Sequence, residues 1–346
     1  MKKKKLALVL PGGGTKGVLQ AMLLKGLDDK IRSVAEQKQY DYKGLGYHVD
    51  YIAGTSIGAI NAVNTILKTD NDLKFTTDDN LSMFVDNAGK MLKKQGLIGL
   101  LDPYFSSQKI EQIVNERFND KTFDISNCSG KILINSFNLD TCTKTIFTNI
   151  GCEGDRRKLP GHVWDIDQIK LRDAVVASAA IPGLLSSKTI EYARNNQGVK
   201  VHHEVDGGLN ANSAISELVN DMHILDGVAF QDMFVLSIGS GYTNMSLTNL
   251  SGKGQLDYAM NFKSVLLGML SCIQDDAQTR TQALIVSNGG KVADLNPLLV
   301  TEQEIQGSMN DTKEQSIIYM EVAERYLHEN DRYISELAEQ IVECCF

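Results

Sequence analysis

Gly54-Thr55-Ser56-Ile57-Gly58 is a G-x-S-x-G pentapeptide. A serine set among small residues can stand at a sharp strand-to-helix turn with its hydroxyl pushed into a cleft. Such a hydroxyl is a weak nucleophile until a base takes its proton. Val205-Asp206-Gly207-Gly208 offers one, an acid followed by two glycines, Gly207 and Gly208, that permit a tight turn and close backbone approach. With an ordinary pKa of about 3.9, the carboxylate has to lie within hydrogen-bond reach and lose part of its hydration to act as base. A third segment, Gly12-Gly13-Gly14-Thr15-Lys16-Gly17, can crowd backbone N–H groups around an anion at a helix N-terminus. A tetrahedral oxyanion suits it, and Lys16 adds positive potential nearby.

The same six residues also fit the dinucleotide fingerprint G-x-G-x-x-G, which would make the chain a nucleotide-binding oxidoreductase. That reading wants a second strand closing on an acid about 20 positions on, and the polar stretch around Glu36 is not strand-like. A P-loop is excluded because Lys16 precedes Gly17. His48, His202 and His203 stand near the serine and aspartate in sequence and read as surface or edge histidines. In α/β-hydrolases the triad histidine follows the acid, and here only His223 and His328 do. No His/Cys/Asp cluster has metal-ligand spacing, so metal-independent chemistry with no cofactor is expected.

In order and composition, a strand then G-G-G-x-K-G, then G-T-S-I-G, then D-G-G, the chain resembles the patatin-like phospholipases over roughly residues 6–213. The resemblance implies a Ser-Asp dyad without histidine: Ser56 as nucleophile, Asp206 as base, and backbone amides of Gly12, Gly13 and Gly14 as the oxyanion hole. Lys16, Gly17, Gly54, Gly58, Gly207 and Gly208 are then the supporting motif residues. Ala177-Ser178-Ala179-Ala180-Ile181-Pro182 resembles the family segment ahead of the aspartate. Pro11 replaces the family's usual Asp before the glycines, and Asn212-Ser213 replaces its Asn-Pro. The implied activity is hydrolysis of fatty-acyl esters of membrane phospholipids through an acyl-enzyme, with peripheral contact to the membrane. A small-molecule activator or a homo-oligomer would each be compatible with the resemblance, as would a non-catalytic binding or storage member of the fold.

Elements must bring these motifs together. The apolar run at residues 6–10 predicts a strand, and Val18, Leu19, Met22, Leu23, Leu27 and Ile31 recur at helical spacing after the glycine loop. Residues 49–53 predict a second strand, and Ala59, Ile60, Ala62, Val63, Ile66 and Leu67 a helix after the serine turn. Further strands are expected at 131–139, 144–149 and 233–238. This alternation predicts an α/β fold with a central, mostly parallel sheet flanked by helices, and ligands beyond the strands' carboxyl ends. Residues 312–342 predict two amphipathic helices broken near 329–331. The expected organisation is a catalytic domain over 1–300 with a helical extension over 301–346. Residues 91–105 read first as a buried helix end, with a lipid-touching flap as the rival, and the run at 265–270 reads as core.

The 346 residues, 42% hydrophobic and 23% charged, fit a folded globular protein. A net charge of −8 argues against nucleic acid as partner, which would want clustered basic surface. The apolar run at 6–10 is too short for a secretory signal, and no stretch approaches the roughly 18 apolar residues of a membrane span. Cys128, Cys142, Cys152, Cys272, Cys344 and Cys345 form no C-x-x-C pair, which fits free thiols and a cytoplasmic location. Glu343 occupies the position a C-terminal prenylation box needs for its cysteine.

Overall fold

A computed structural model describes residues 3–70, 72–94, 103–152, 159–164, 166–194, 198–244, 248, 251–255, 257, 262–306 and 311–346. Nine described strands form one sheet: β1 (Lys5–Leu10), β2 (Tyr51–Gly54), β3 (Lys131–Asn138), β4 (Thr143–Thr148), β5 (His162–Val163), β6 (Lys188–Arg194), β7 (Gly198–Asp206), β8 (Met233–Ile238) and β9 (Lys291–Leu295). Their order is β6-β7-β3-β2-β1-β8-β9, with β4 on the other edge of β3 and β5 beyond it. The pairs β3–β2, β2–β1, β1–β8 and β8–β9 are parallel, whereas β3–β4, β3–β7 and β6–β7 are antiparallel. The sheet is therefore mixed and mostly parallel. Around it lie α1 (Gly17–Gln37), α2 (Ile57–Ile66), α3 (Thr77–Asn87), α4 (Gln108–Phe118), α5 (Leu171–Ser178), α6 (Ile215–Ile224), α7 (Phe262–Ser287), α8 (Lys313–Glu329) and α9 (Asp331–Cys345).

Strand β1 is buried from Leu6 to Leu10, as a central strand covered on both faces should be. Its alternating side chains feed two cores. Leu6, Leu8 and Leu10 pack with α1, α2 and the C-terminal helices, while Ala7 and Val9 pack with Ile215, Leu218 and Val219 of α6. The polar stretch around Glu36 lies in the last turn of α1, so no strand follows the glycine loop's helix until β2. Helices α8 and α9 part at Asn330, and α9 buries Ile334, Leu337, Ala338, Ile341 and Val342 in the first core.

The described part of 91–105 is not a helix end. Lys93–Lys94 instead pairs antiparallel with Phe105–Ser106. Residues 95–102, with Leu97, Ile98, Leu100 and Leu101, lie outside the described residues. The run at 265–270 belongs to α7, but its side chains lie outside the described ones.

One edge of β3 brings the serine and aspartate motifs together. Parallel β2 runs along it until Gly54 stands opposite Ile134, and antiparallel β7 arrives from the other direction until Asp206 stands opposite Ser136. Strand β4 occupies the opposite edge, pairing both Ile134 and Ser136. The carboxyl ends of β2 and β7 therefore meet head to head across Asn135.

Candidate active site

Ser56 follows β2 at the point where the chain turns into α2, with φ 53° and ψ −127°. A non-glycine residue in this region stores on the order of 1–3 kcal/mol of strain, and surrounding contacts must hold it. The glycines on either side are sterically required. A Cβ on Gly58 would lie 2.0 Å from the Leu10 carbonyl oxygen, and one on Gly54 would lie 2.5 Å from Ala59 Cα. The Ser56 N–H donates to Ser178 Oγ at 2.8 Å, and Ser178 in turn donates to the Asn135 carbonyl at 2.6 Å. Both serines are buried.

The hydroxyl of Ser56 donates to Asp206 Oδ2 at 2.6 Å, and Asp206 Oδ1 accepts from the Gly208 N–H at 2.7 Å. Burial pushes the Asp206 carboxyl up to about 6, against the pull of the hydrogen bonds from Ser56 and Gly208. Asn135, between the two strand ends, ties the pair together. Its amide donates to the Gly207 and Ala211 carbonyls at 3.1 and 2.9 Å, while its Oδ1 accepts from the Thr55 hydroxyl at 2.5 Å.

The glycine loop leaves β1 next to this corner. The Gly12 N–H is spent on the Asn212 carbonyl at 3.0 Å, whereas the N–H groups of Gly13 and Gly14 meet no acceptor among the described residues. At 13 a Cβ would lie 2.2 Å from Ser240 Oγ and 2.4 Å from Ser240 Cβ, so a side chain there would displace the loop. The Lys16 ammonium donates to the Gly241 carbonyl at 3.4 Å, and burial lowers its pKa to about 8. Gly17 packs against Ile57 and Phe84, leaving no room for a side chain.

Ser56 opens into an apolar cleft of about 640 Å³, part of it open to solvent, lined among others by Val18, Ile57, Phe84, Met91, Phe105, Ile181 and Leu185. One wall is fastened by Asp311, whose Oδ1 accepts from the Gly89 N–H at 2.9 Å and whose Oδ2 accepts from the Leu92 N–H at 2.8 Å.

The histidines engage elsewhere. His202 meets Glu204, His203 meets Asp140, His223 faces the Val228 carbonyl, and His48 stacks on Phe346. Among the described residues no group of three or more His, Cys, Asp or Glu side chains could hold a metal ion, and no helix is long and apolar enough to cross a membrane. Sequence reasoning missed Asn135 and Asp311, which carry no motif. Ser178 was visible only as part of a resembling segment.

Residues 8–219 match the family model described as patatin-like phospholipase. A potato protein named "Probable inactive patatin-3-Kuras 1" is 22% identical over 257 residues, covering 74% of this chain and 64% of its own. A cGAMP-activated phospholipase of Escherichia coli is 24% identical over 251 residues, covering 70% of this chain and 63% of its own. The chain thus spans less than two thirds of the length of these relatives. The crystal structure of VipD from Legionella pneumophila aligns with 94% of this chain and 67% of its own at a TM-score of 0.31 and 11% identity.

Proposed function

The chain belongs to the patatin-like phospholipase family, and from that premise we propose that it hydrolyses fatty-acyl esters of membrane lipids, phospholipids foremost, with Ser56 as nucleophile and Asp206 as its only general base. The observation that carries this reading is the 2.6 Å hydrogen bond from Ser56 to a buried Asp206 at the edge of an apolar cleft. A fatty-acyl chain lies in the cleft while Ser56 Oγ attacks the ester carbonyl and passes its proton to Asp206 Oδ2. A carboxyl at about 6 is a better proton acceptor than an ordinary aspartate and is still ionised near neutral pH. The Gly13 and Gly14 N–H groups take the oxyanion, where loss of one donor typically costs about 3 kcal/mol. Asp206 then protonates the leaving alcohol, and water, deprotonated by the same carboxylate, releases the fatty acid. The protein meets the membrane peripherally to reach its substrate.

A non-catalytic role is the second reading, favoured by the relative whose name calls it inactive. Release of fatty acid from phosphatidylcholine and phosphatidylglycerol vesicles, with wild type beside Ser56→Ala, separates the two. Release that depends on Ser56 supports hydrolysis. Folded protein that releases none from any lipid class supports the binding role.

A further inference from the structure

We propose that Gln20 and Arg117 are positioning residues for the oxyanion donors, acting through a buried chain of side-chain amides that starts at Arg117 and ends on the glycine loop. This rests on the acyl-hydrolase reading above, in which the Gly13 and Gly14 N–H groups take the oxyanion.

Arg117 Nε, in the last turn of α4, donates to Asn64 Oδ1 at 3.0 Å. Asn64 of α2 donates to Asn80 Oδ1 of α3 at 2.7 Å, and Asn80 donates back to Asn61 Oδ1 of α2 at 2.8 Å. Asn61 donates to Gln20 Oε1 of α1 at 2.7 Å. Gln20 Nε2 closes the chain on two backbone carbonyls, Ile238 at 2.8 Å and Pro11 at 3.2 Å. All four amides are buried. Apolar side chains would fill the same core without desolvating polar groups, so the amides contribute orientation rather than burial.

The two ends of the chain set its direction. A guanidinium can only donate and a carbonyl can only accept. Reversing the amides would turn the Asn64 N–H₂ onto Arg117 and the Gln20 oxygen onto two carbonyls. Gln20 must therefore present its N–H₂ to the loop, and removing Arg117 deprives the buried Asn64 oxygen of the donor that enforces this order.

Glycines have no side chains to set the shape of residues 12–14, so outside groups must do so. In a planar trans peptide the C=O and N–H point opposite ways. Gln20 holds the Pro11 carbonyl, and on the other side of that plane the Gly12 N–H meets the Asn212 carbonyl at 3.0 Å. In the next plane the Gly12 carbonyl accepts from Ser240 Oγ at 2.9 Å and from Asn212 Nδ2 at 3.4 Å, which aims the Gly13 N–H the other way. Ile238, also held by Gln20, ends β8 two residues before Ser240. One amide group thus fixes the glycine loop relative to the segment that carries Ser240. A Cβ placed on Gly12 would lie 3.1 Å from Ser56 Cβ, so the pinned planes stand beside the nucleophile.

The test separates aim from packing. Helices α1 to α4 also wall the acyl cleft through Val18, Ile57, Phe84 and Ile110, so a merely structural loosening should appear in KM. Wild type, Gln20→Met, Arg117→Met and Arg117→Lys are compared for kcat and KM on p-nitrophenyl butyrate, for inhibition by an alkyl trifluoromethyl ketone, and for thermal unfolding. Ser56 Oγ adds to the ketone carbon, its proton passes to Asp206, and the ketone oxygen becomes an oxyanion that needs the same donors. Folded Gln20→Met should lose about tenfold or more in kcat with KM within about twofold, and should bind the ketone more weakly by a similar factor. Arg117→Met should lose about threefold or more in both, and Arg117→Lys, which keeps a donor, should recover most of that loss. If Gln20→Met does not fold, the Arg117 pair decides. Wild-type kcat and ketone affinity in the folded variants, a loss confined to KM, or Arg117→Lys no better than Arg117→Met would overturn this inference alone. If wild type cleaves no ester and Ser56 takes no fluorophosphonate adduct, the acyl-hydrolase reading itself falls, and this inference with it.

Discussion

Asp206 and Ser56 meet at 2.6 Å because one edge of β3 is shared by a parallel strand that ends at Gly54 and an antiparallel strand that ends at Asp206. A carboxylate supplied by a strand end is fixed by backbone register rather than by a mobile loop. The carboxylate can then be buried without losing its aim.

The raised carboxyl dictates how activity responds to pH. Protonated Asp206 has no capacity to accept the serine proton, so kcat/KM should fall to half its plateau near pH 6 and tenfold for each further unit of acid. A pH–rate profile on a soluble ester checks this. An acid limb centred near 4 would mean that Asp206 is not desolvated in the working enzyme.

The same shift has a thermodynamic counterpart with the opposite preference. Because Asp206 binds its proton more tightly folded than at its ordinary value of 3.8, its contribution to stability is complete below about pH 4 and is lost as pH rises through about 6. About two pKa units correspond to on the order of 3 kcal/mol. Asp206→Asn removes the buried charge, keeps an acceptor for Gly208, and should unfold at a higher temperature than wild type at pH 8. The gap should close toward pH 4. Parallel melting curves at all pH values would contradict this.

Two glycines in the motifs should fail in different ways. Gly58→Ala drives a methyl group onto the Leu10 backbone, so it should destabilise by several kcal/mol and abolish soluble expression or folding. Gly13→Ala meets Ser240 Oγ at 2.2 Å and Ser240 Cβ at 2.4 Å, side-chain atoms on a neighbouring loop, so the glycine loop itself has to shift. The variant should keep its fold while losing activity about a hundredfold, since the N–H groups proposed as oxyanion donors shift with the loop. Circular dichroism with ester hydrolysis distinguishes the outcomes, and equal loss of folding in both would contradict the separation.

Asp311 fastens the cleft wall at Gly89 and Leu92 through two backbone N–H groups. Asp311→Ala should raise KM several-fold for long acyl chains while changing it less for butyryl esters, whose short chain fills less of the cleft. A chain-length series with both proteins checks this, and an equal effect at every length would contradict it.

Much of this was legible in the sequence. The buried run at 6–10, the five-residue serine turn and the break at Asn330 all follow from local pattern, and the strand expected at 233–238 has those bounds in the structure. The hairpin of β6 and β7 was not legible. Its exposed Val199 and Val201 and its paired histidines break the alternation that marks a half-buried strand, and its role depends on pairing with β3 far away in sequence. Asn135 and Asp311 act by bonding backbone groups of distant segments, which leaves no spacing to read. The glycine loop was visible as a donor cluster, but only tertiary contact shows that Asn212 occupies the Gly12 N–H.

The central claim is that Ser56 is a nucleophile activated by Asp206, and covalent labelling tests it most directly. Wild type, Ser56→Ala and Asp206→Asn are exposed to a long-chain fluorophosphonate and read by mass spectrometry. A single adduct on Ser56 is expected in wild type, none in Ser56→Ala, and labelling slowed about a thousandfold or more in Asp206→Asn. Folded wild type that takes no adduct, or an adduct that persists in Ser56→Ala, would contradict it.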